Sequence, residues 1–142
     1  MDIPLPAYAT AGSSGMDIHA AVEKIVTIRP GEITLIPTGF QVEIPHGFEA
    51  QVRPRSGLAI KHGIGIVNSP GTIDSDYRGE VKIILTNFGN VDFTIHRGDR
   101  IAQLVIAPEA RAVWDEVDAV QPTARGEGGF GHSGEKAAST EH

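Results

Sequence analysis

From Glu32 to Val105 the chain alternates apolar and polar residues in short runs: Ile33-Leu35, Phe40-Val42-Ile44, Phe48-Ala50-Val52, Val81-Ile83-Leu85 and Phe93-Ile95. A period of two sends every second side chain to one face of an extended backbone, so each run predicts a half-buried strand. Turn-forming triplets punctuate the runs, among them Arg29-Pro30-Gly31, Pro45-His46-Gly47, Phe88-Gly89-Asn90 and Arg97-Gly98-Asp99. Their spacing is that of an all-β barrel or sandwich. One short helix of about two turns is predicted over Gly57 to Lys61, with Ser56 as its N-cap and Gly63 as its terminator.

After Trp114 the alternation decays, and Gly126 to Gly134 holds five glycines in nine residues before a polar tail ending at His142. Such a stretch buries too little apolar surface to order itself. The pattern therefore divides into a β domain over 1–120 and a flexible arm over 121–142. From composition alone, the arm reads first as a frayed terminus.

Composition narrows the function classes. A chain of 142 residues, 40% hydrophobic and 21% charged, suits one globular domain. No apolar window is long enough to cross a membrane, and Met1-Asp2-Ile3-Pro4 does not begin like a secretion signal, so no membrane partner and a cytoplasmic location are expected. With no cysteine there is no thiol nucleophile, thiolate metal site or disulfide. The net charge of −6 lacks the clustered Lys and Arg that a nucleic-acid surface needs. A polyanionic ligand would have to be met locally, by a few Arg residues, backbone N–H groups and a metal.

Several short segments have that local character. Pro54-Arg55-Ser56-Gly57-Leu58-Ala59 places an Arg, a hydroxyl and a Gly at the start of the predicted helix, where free N–H groups favour an anion, although an ordinary helix start with a solvated Arg has the same look. Gly71 to Glu80 sets Asp74, Asp76 and Tyr77 in a turn-rich stretch before a strand. An Asp there can accept a proton from water, or can simply be a turn residue. Asp17 follows the small-residue loop Ala11-Gly12-Ser13-Ser14-Gly15, as a turn residue or as an outer-shell support for hydrated Mg²⁺ or an incoming Arg. Arg125 to Gly134 combines a guanidinium, glycines, Phe130 and Ser133, so an exposed ring can stack on a base while Arg125 and Ser133 meet phosphates. The six histidines have no tight metal-ligand spacing, which argues against zinc, and no nucleophile elbow is present.

Taken in order, AGSSGMDIHA, PRSGLA, GTIDSDYRGE, RGDRIAQLV and RGEGGFGHSG, spread over residues 11 to 134, resemble the five motifs of the trimeric deoxyuridine triphosphatase family. The resemblance implies a jelly-roll β subunit in a homotrimer, with three active sites each assembled from three chains. It implies Mg²⁺-dependent hydrolysis of dUTP to dUMP and pyrophosphate, which limits uracil entering DNA and supplies dUMP for thymidylate synthesis. Asp74 corresponds to the general base that aligns water on the α-phosphorus, and Asp76 to a less critical neighbour. Gln103 corresponds to a holder of that water or of phosphate. Arg55, Ser56 and Gly57 would cradle phosphates, and Arg125 would neutralise developing charge. The Asn68 amide and the backbone up to Tyr77 would mimic pairing to uracil, with Thr72 and Ile73 contributing backbone contacts and Lys82 at the edge. Tyr77 would pack beneath the deoxyribose and exclude a 2′-hydroxyl. Phe130 would stack on the base, with Gly131, His132 and Ser133 completing the arm's contacts. Mg²⁺ would ride on the phosphates and water with no direct protein ligand, leaving Asp17 to its outer shell. The family usually carries Ser or Thr where His132 stands, which implies pH-sensitive closure of the arm.

Two rivals differ at identifiable residues. The dCTP deaminase family shares the fold but relies on a Glu in the strand after the Ile-Asp segment, at about the position of Ile84, and lacks the Gly-rich arm; an apolar side chain cannot shuttle protons. A binding module without turnover would have no need of Asp74, Gln103, Arg125 and Phe130 together.

Overall fold

The computed structural model describes residues 2–136. Two compact units divide the chain, Met1–Ala110 and Arg111–His142. The first is all-β apart from one short helix, as the alternation predicts. Its strands are β1 (Met16–His19), β2 (Val26–Ile28), β3 (Ile33–Pro37), β4 (Phe48–Arg53), β5 (Ile64–Ile66), β6 (Gly71–Ile73), β7 (Lys82–Asn87), β8 (Phe93–Ile95) and β9 (Arg100–Pro108), with helix α1 (Ser56–His62) between β4 and β5. All pairings are antiparallel and make three sheets, β1-β9-β4-β6, β2-β8 and β3-β7-β5.

Each sheet turns one face inward. Ile18, Ile28, Ile36, Ile83, Leu85, Ile95 and Ile101 are at most 1% exposed and share a single apolar core. At roughly 1.5–3 kcal/mol per buried aliphatic side chain, this shared interior is the main term holding the sheets together. Asn87, fully buried, is satisfied from all sides: its amide donates to the carbonyls of Ile28 (2.9 Å) and Val91 (2.8 Å), and its oxygen accepts from Gly89 N–H (2.8 Å). It ties β7 to β2 and to the turn before β8.

Two expectations need correction. Residues 40–44 do alternate in burial but form no strand. The alternation reports which side chains face the core, whereas a strand also needs a backbone ladder; here the neighbouring segment is met largely by side chains, Gln41 donating to the Arg78 carbonyl and Glu80 accepting from Gly39 N–H. The helix begins one residue earlier than expected, so Ser56 is its first residue and not its cap. Arg55 is the N-cap, in extended conformation and without a side-chain capping bond. Gly63 ends the helix as expected, at φ 66°.

The second unit, described as far as residue 136, has no helix or strand among its described residues. From Thr123 it is a chain of turns, with hydrogen bonds from Gly126 N to Thr123 O, Gly128 N to Arg125 O, His132 N to Gly129 O and Gly134 N to Gly131 O. Residues 111–120, counted with the β domain from the sequence pattern, carry no strand. The remainder of the predicted arm, 137–142, lies outside the described residues.

Candidate functional site

The first cluster grows from the pairing of β1 with β9. Asp17 stands directly opposite Gln103, so both side chains leave the same face of the sheet. A register shift follows at Ile18/His19, just beyond this pair. Arg55, at the start of α1, reaches across: its Nε donates to Asp17 Oδ1 (3.1 Å) and its Nη1 to the Arg100 carbonyl (3.3 Å). Arg100 brings a second guanidinium to within 3.6 Å of Asp17 Oδ2. Gln103 Nε2 donates to the Pro54 carbonyl (3.0 Å), which fastens the strand to the helix approach. Gly15 lies close beside it: a Cβ there would sit 2.4 Å from Gln103 Oε1, so any larger residue would displace the Gln103 amide.

Asp17, Arg55, Ser56, Gly57 and Gln103 line one cavity of about 220 Å³. The Arg55–Asp17 pair is about 30% exposed on both sides, half-withdrawn from solvent and held in one geometry. Ser56 and Gly57 are exposed, and with no acidic residue in the first turn and no capping side chain the local N–H groups are left for another acceptor. A guanidinium, a hydroxyl and free N–H groups around a small polar hollow suit an anion of phosphate size. Asp17 is already shared between two guanidinium groups, so it fits the orienting of Arg55 and an outer shell better than direct ligation of a metal. Among the described residues no three His, Cys, Asp or Glu side chains converge as a metal site.

A second cavity, of about 350 Å³, is lined by Leu35, Thr72, Ile73, Asp74, Tyr77, Glu80, Val81 and Lys82. Five of these are residues singled out from the sequence. Ile73 is buried within β6, and Asp74 leaves the end of that strand exposed to the cavity. A turn returns the chain, Tyr77 N–H donating to Asp74 O (3.2 Å), and the Tyr77 hydroxyl donates to the Glu80 carbonyl (2.9 Å). Lys82 Nζ lies 3.8 Å from Glu80 Oε2. Asn68 is exposed in the β5–β6 connection, over Gly71. The mixed apolar and polar lining suits a base and sugar.

The two cavities are separate within one chain. Ile73 pairs with Ala50, itself opposite Ile106, while Gln103 lies three residues back along β9. Two strand spacings sideways and three to four residues lengthwise put Asp74 about 15 Å from Gln103. Asp76 is exposed on the outer turn and lines neither cavity.

In the second unit, Phe130 is fully exposed at φ 50°, a conformation uncommon for a bulky residue, and the Arg125 side chain donates back to the Gly128 carbonyl. The His132 ring lies against Gly128, and Gly131 and Ser133 occupy the following turn.

Reading the sequence missed Arg100 and Glu80. Both lie inside the quoted segments RGDRIAQLV and GTIDSDYRGE, but neither has a local signal, since their partners Asp17 and Gly39 are brought to them by strand pairing.

The fold and its two recesses define a class: an all-β domain offering one hollow suited to an anion and another suited to a ring and sugar, the two ends of a nucleotide. Residues 1–134 match the dUTPase family. The deoxyuridine 5′-triphosphate nucleotidohydrolase of Desulfotalea psychrophila is 60% identical over 132 residues, covering 93% of this chain and 88% of that protein. The dUTPase of Staphylococcus bacteriophage 80alpha, solved with dUPNHPP, superposes with a TM-score of 0.84 at 27% identity over 94% of both chains. A mutant dUTPase of S. aureus phage phi11, solved with a structural Mg(II) ion, is alike in fold, with a TM-score of 0.74 at 24% identity over 83% of this chain and 92% of that one. The chain belongs to the dUTPase family.

Proposed function

We propose that this chain hydrolyses dUTP to dUMP and pyrophosphate, as a homotrimer whose three sites are each built by more than one chain. The observation that carries the reading is the separation of the two cavities. The phosphate-suited cluster around Arg55 and Gln103 and the sugar-suited cavity around Asp74 and Tyr77 lie too far apart to hold one reacting phosphorus. Two copies meeting face to face bring one chain's Asp74 to another's Gln103, and the arm of a third supplies Arg125 and Phe130.

In this reading uracil lies along the backbone from Asn68 to Tyr77, with Thr72 and Ile73 beside it and Lys82 at the rim. Close backbone leaves no room for the methyl of thymine, and the amide of Asn68 pairs with uracil but not with the reversed donor pattern of cytosine. Tyr77 packs beneath the deoxyribose. Arg55, Ser56 and Gly57 hold the phosphates. Asp74 accepts the proton of a water that attacks the α-phosphorus in line, Gln103 holds that water or an adjacent phosphate oxygen, and Arg125 offsets the charge developing as pyrophosphate leaves. Bound together with the triphosphate, Mg²⁺ would offset part of its charge, and Asp17 keeps Arg55 oriented toward the phosphates. Phe130 stacks on the base, and Gly131, His132 and Ser133 close over the phosphates. The product supports a cytoplasmic role in keeping uracil out of DNA and in feeding thymidylate synthesis.

Pyrophosphate release from dUTP, dCTP, dTTP and UTP, each with and without Mg²⁺, tests the activity. Turnover confined to dUTP and dependent on the metal is expected, and equal turnover of dCTP would sink the assignment. Light scattering at micromolar concentration tests the assembly: a monomeric mass with full activity contradicts the shared site.

A further inference from the structure

We infer that Gln41, which lies outside all five motifs, is a positioning residue that sets how sharply the site tells deoxyribose from ribose. The inference rests on the placing of Tyr77 beneath the sugar.

The turn that carries Tyr77 is folded on itself. Arg78 Nη1 donates to the carbonyls of Ser75 (2.7 Å) and Tyr77 (3.1 Å), and the Tyr77 hydroxyl donates to the Glu80 carbonyl (2.9 Å). Gly79 makes that last bond possible, since a Cβ there would sit 2.4 Å from the hydroxyl oxygen. Internal bonds keep the turn's shape but do not fix its place in the domain. Its place comes from the segment 38–41, which grips residues 78–81 by four hydrogen bonds: Thr38 hydroxyl to Val81 O, Gly39 N to Glu80 Oε1 (2.9 Å), Val81 N to Phe40 O (3.0 Å) and Gln41 Nε2 to Arg78 O (2.6 Å).

Three of those four hold residues 80 and 81, at the foot of β7. Gln41 is the one of the four that bonds the residue next to Tyr77 in the chain, whereas the bond to Glu80 reaches Tyr77 only through its hydroxyl, at the far end of the ring. It does not line the cavity of Asp74 and Tyr77; it lines a different recess, with Val42, Glu43 and Arg78. Whatever it does for substrate, it does through the Arg78 carbonyl. Rejecting a 2′-hydroxyl is a steric matter of one oxygen atom, so a ring free to shift by a fraction of an ångström admits it. Binding of the deoxy sugar, which leaves that space unused, is far less sensitive.

Gln41→Glu tests this in the full chain with Mg²⁺, because it keeps the size and removes the donor: an ionised carboxylate only accepts. We expect kcat/KM for UTP to rise relative to dUTP, the ratio of the two changing by about three- to tenfold, the range of one exposed hydrogen bond. The kcat for dUTP stays near the parent value, and Gln41→Ala behaves alike. Glu43→Gln, in the same recess, leaves the ratio at the parent value. An unchanged ratio in Gln41→Glu, or an equal change in Glu43→Gln, overturns the inference. Should Tyr77→Ala leave the dUTP:UTP ratio of the parent intact, the sugar assignment of Tyr77 fails instead.

Discussion

The hollow around Arg55 and the segment around Phe130, both assigned to one proposed site, are built by opposite means. Around Arg55 the long polar side chains are tied to other elements, Arg55 to Asp17 and the Arg100 carbonyl and Gln103 to Pro54, across two strands and a helix start, while the exposed helix start keeps its N–H groups for a ligand. Around Phe130, among the described residues, the bonds run between neighbours three residues apart, and the Phe130 ring is fully exposed. The first arrangement has met its ordering cost on folding, so an anion finds donors already aimed. The second still has that cost to meet, and only ligand can offset it. In the proposed function preorganisation falls to the part assigned to phosphates, and adaptability to the part assigned to closing over the nucleotide.

The largest effect is expected where fixed geometry and chemistry coincide. Asp74→Asn keeps the fold and nucleotide binding, since the side chain is exposed and an amide is isosteric, but an amide cannot take the proton of water. Turnover should fall by about 10²–10⁴-fold, the usual worth of a positioned base. Asp76→Asn, outside both cavities, should be much milder. Equal activities for the two variants in a dUTP assay would show that the base is elsewhere.

The arm should separate binding from chemistry. Arg125→Ala is expected to lower kcat by about a hundredfold, short of the full worth of an arginine finger because other cations remain. Phe130→Ala should mainly raise KM, by about five- to a hundredfold, the worth of one base stacked on an aromatic ring. Deleting residues 122 to 142 should leave the trimer intact and combine both losses. Amide exchange across 125–134 should slow on adding Mg²⁺ and a non-hydrolysable dUTP analogue. Unchanged exchange, or full turnover by the truncated chain, would return the arm to a frayed end.

Much of this contrast was legible before any coordinates. The alternating runs at β3, β4, β7 and β8 were read within a residue or two, because each is long or clean enough for a period of two to register. The three-residue strands β5 and β6 were not, since Ile64-Gly65-Ile66 and Gly71-Thr72-Ile73 are too short and too rich in glycine to show a pattern. Phe40-Val42-Ile44 misled for the converse reason: burial alternates there, but Gln41, Gly39 and Thr38 bond to residues 78–81 largely through side chains. The candidate site residues came from motif order, not from periodicity. The grouping of the first hollow depends on partners 38 and 86 positions apart, Arg55 and Gln103 with Asp17, which sheet register brings together, whereas Thr72 to Lys82 in the second are close along the chain.

A smaller effect tests whether the fixed cluster is as preorganised as its bonds suggest. Asp17→Ala removes the acceptor of Arg55 Nε without touching Arg55 itself. The freed guanidinium then samples other rotamers, and kcat/KM for dUTP should drop about tenfold, corresponding to one partly withdrawn charge-assisted bond. The loss should shrink in the background of Arg55→Ala, where there is nothing left to orient. Fully additive losses would mean that Asp17 acts on something other than Arg55.

The smallest effect concerns a segment as exposed as the arm but fastened differently. Near the N-terminus Asp2 accepts two bonds from Arg97, at 2.6 and 2.9 Å, and Arg97 also donates to the carbonyls of Ala21 and Val22. The hydrogen bond from Arg97 lowers the Asp2 carboxyl from its usual 3.8 to about 2. Because the folded value is the depressed one, the anchor is fully present above pH 3.8 and is lost as pH falls through about 2. Between those values the amides of Ile3 and Leu5 should lose protection relative to their intrinsic exchange rates, and Asp2→Asn should bring the same loss at neutral pH while leaving dUTP turnover unchanged. Exchange in 125–134 of the ligand-free chain has no such anchor to lose and should not follow that titration. If the N-terminal amides keep one protection factor from pH 5 to pH 2, the ion pair does not hold the segment, and the absence of a side-chain anchor would not by itself explain fast exchange in 125–134.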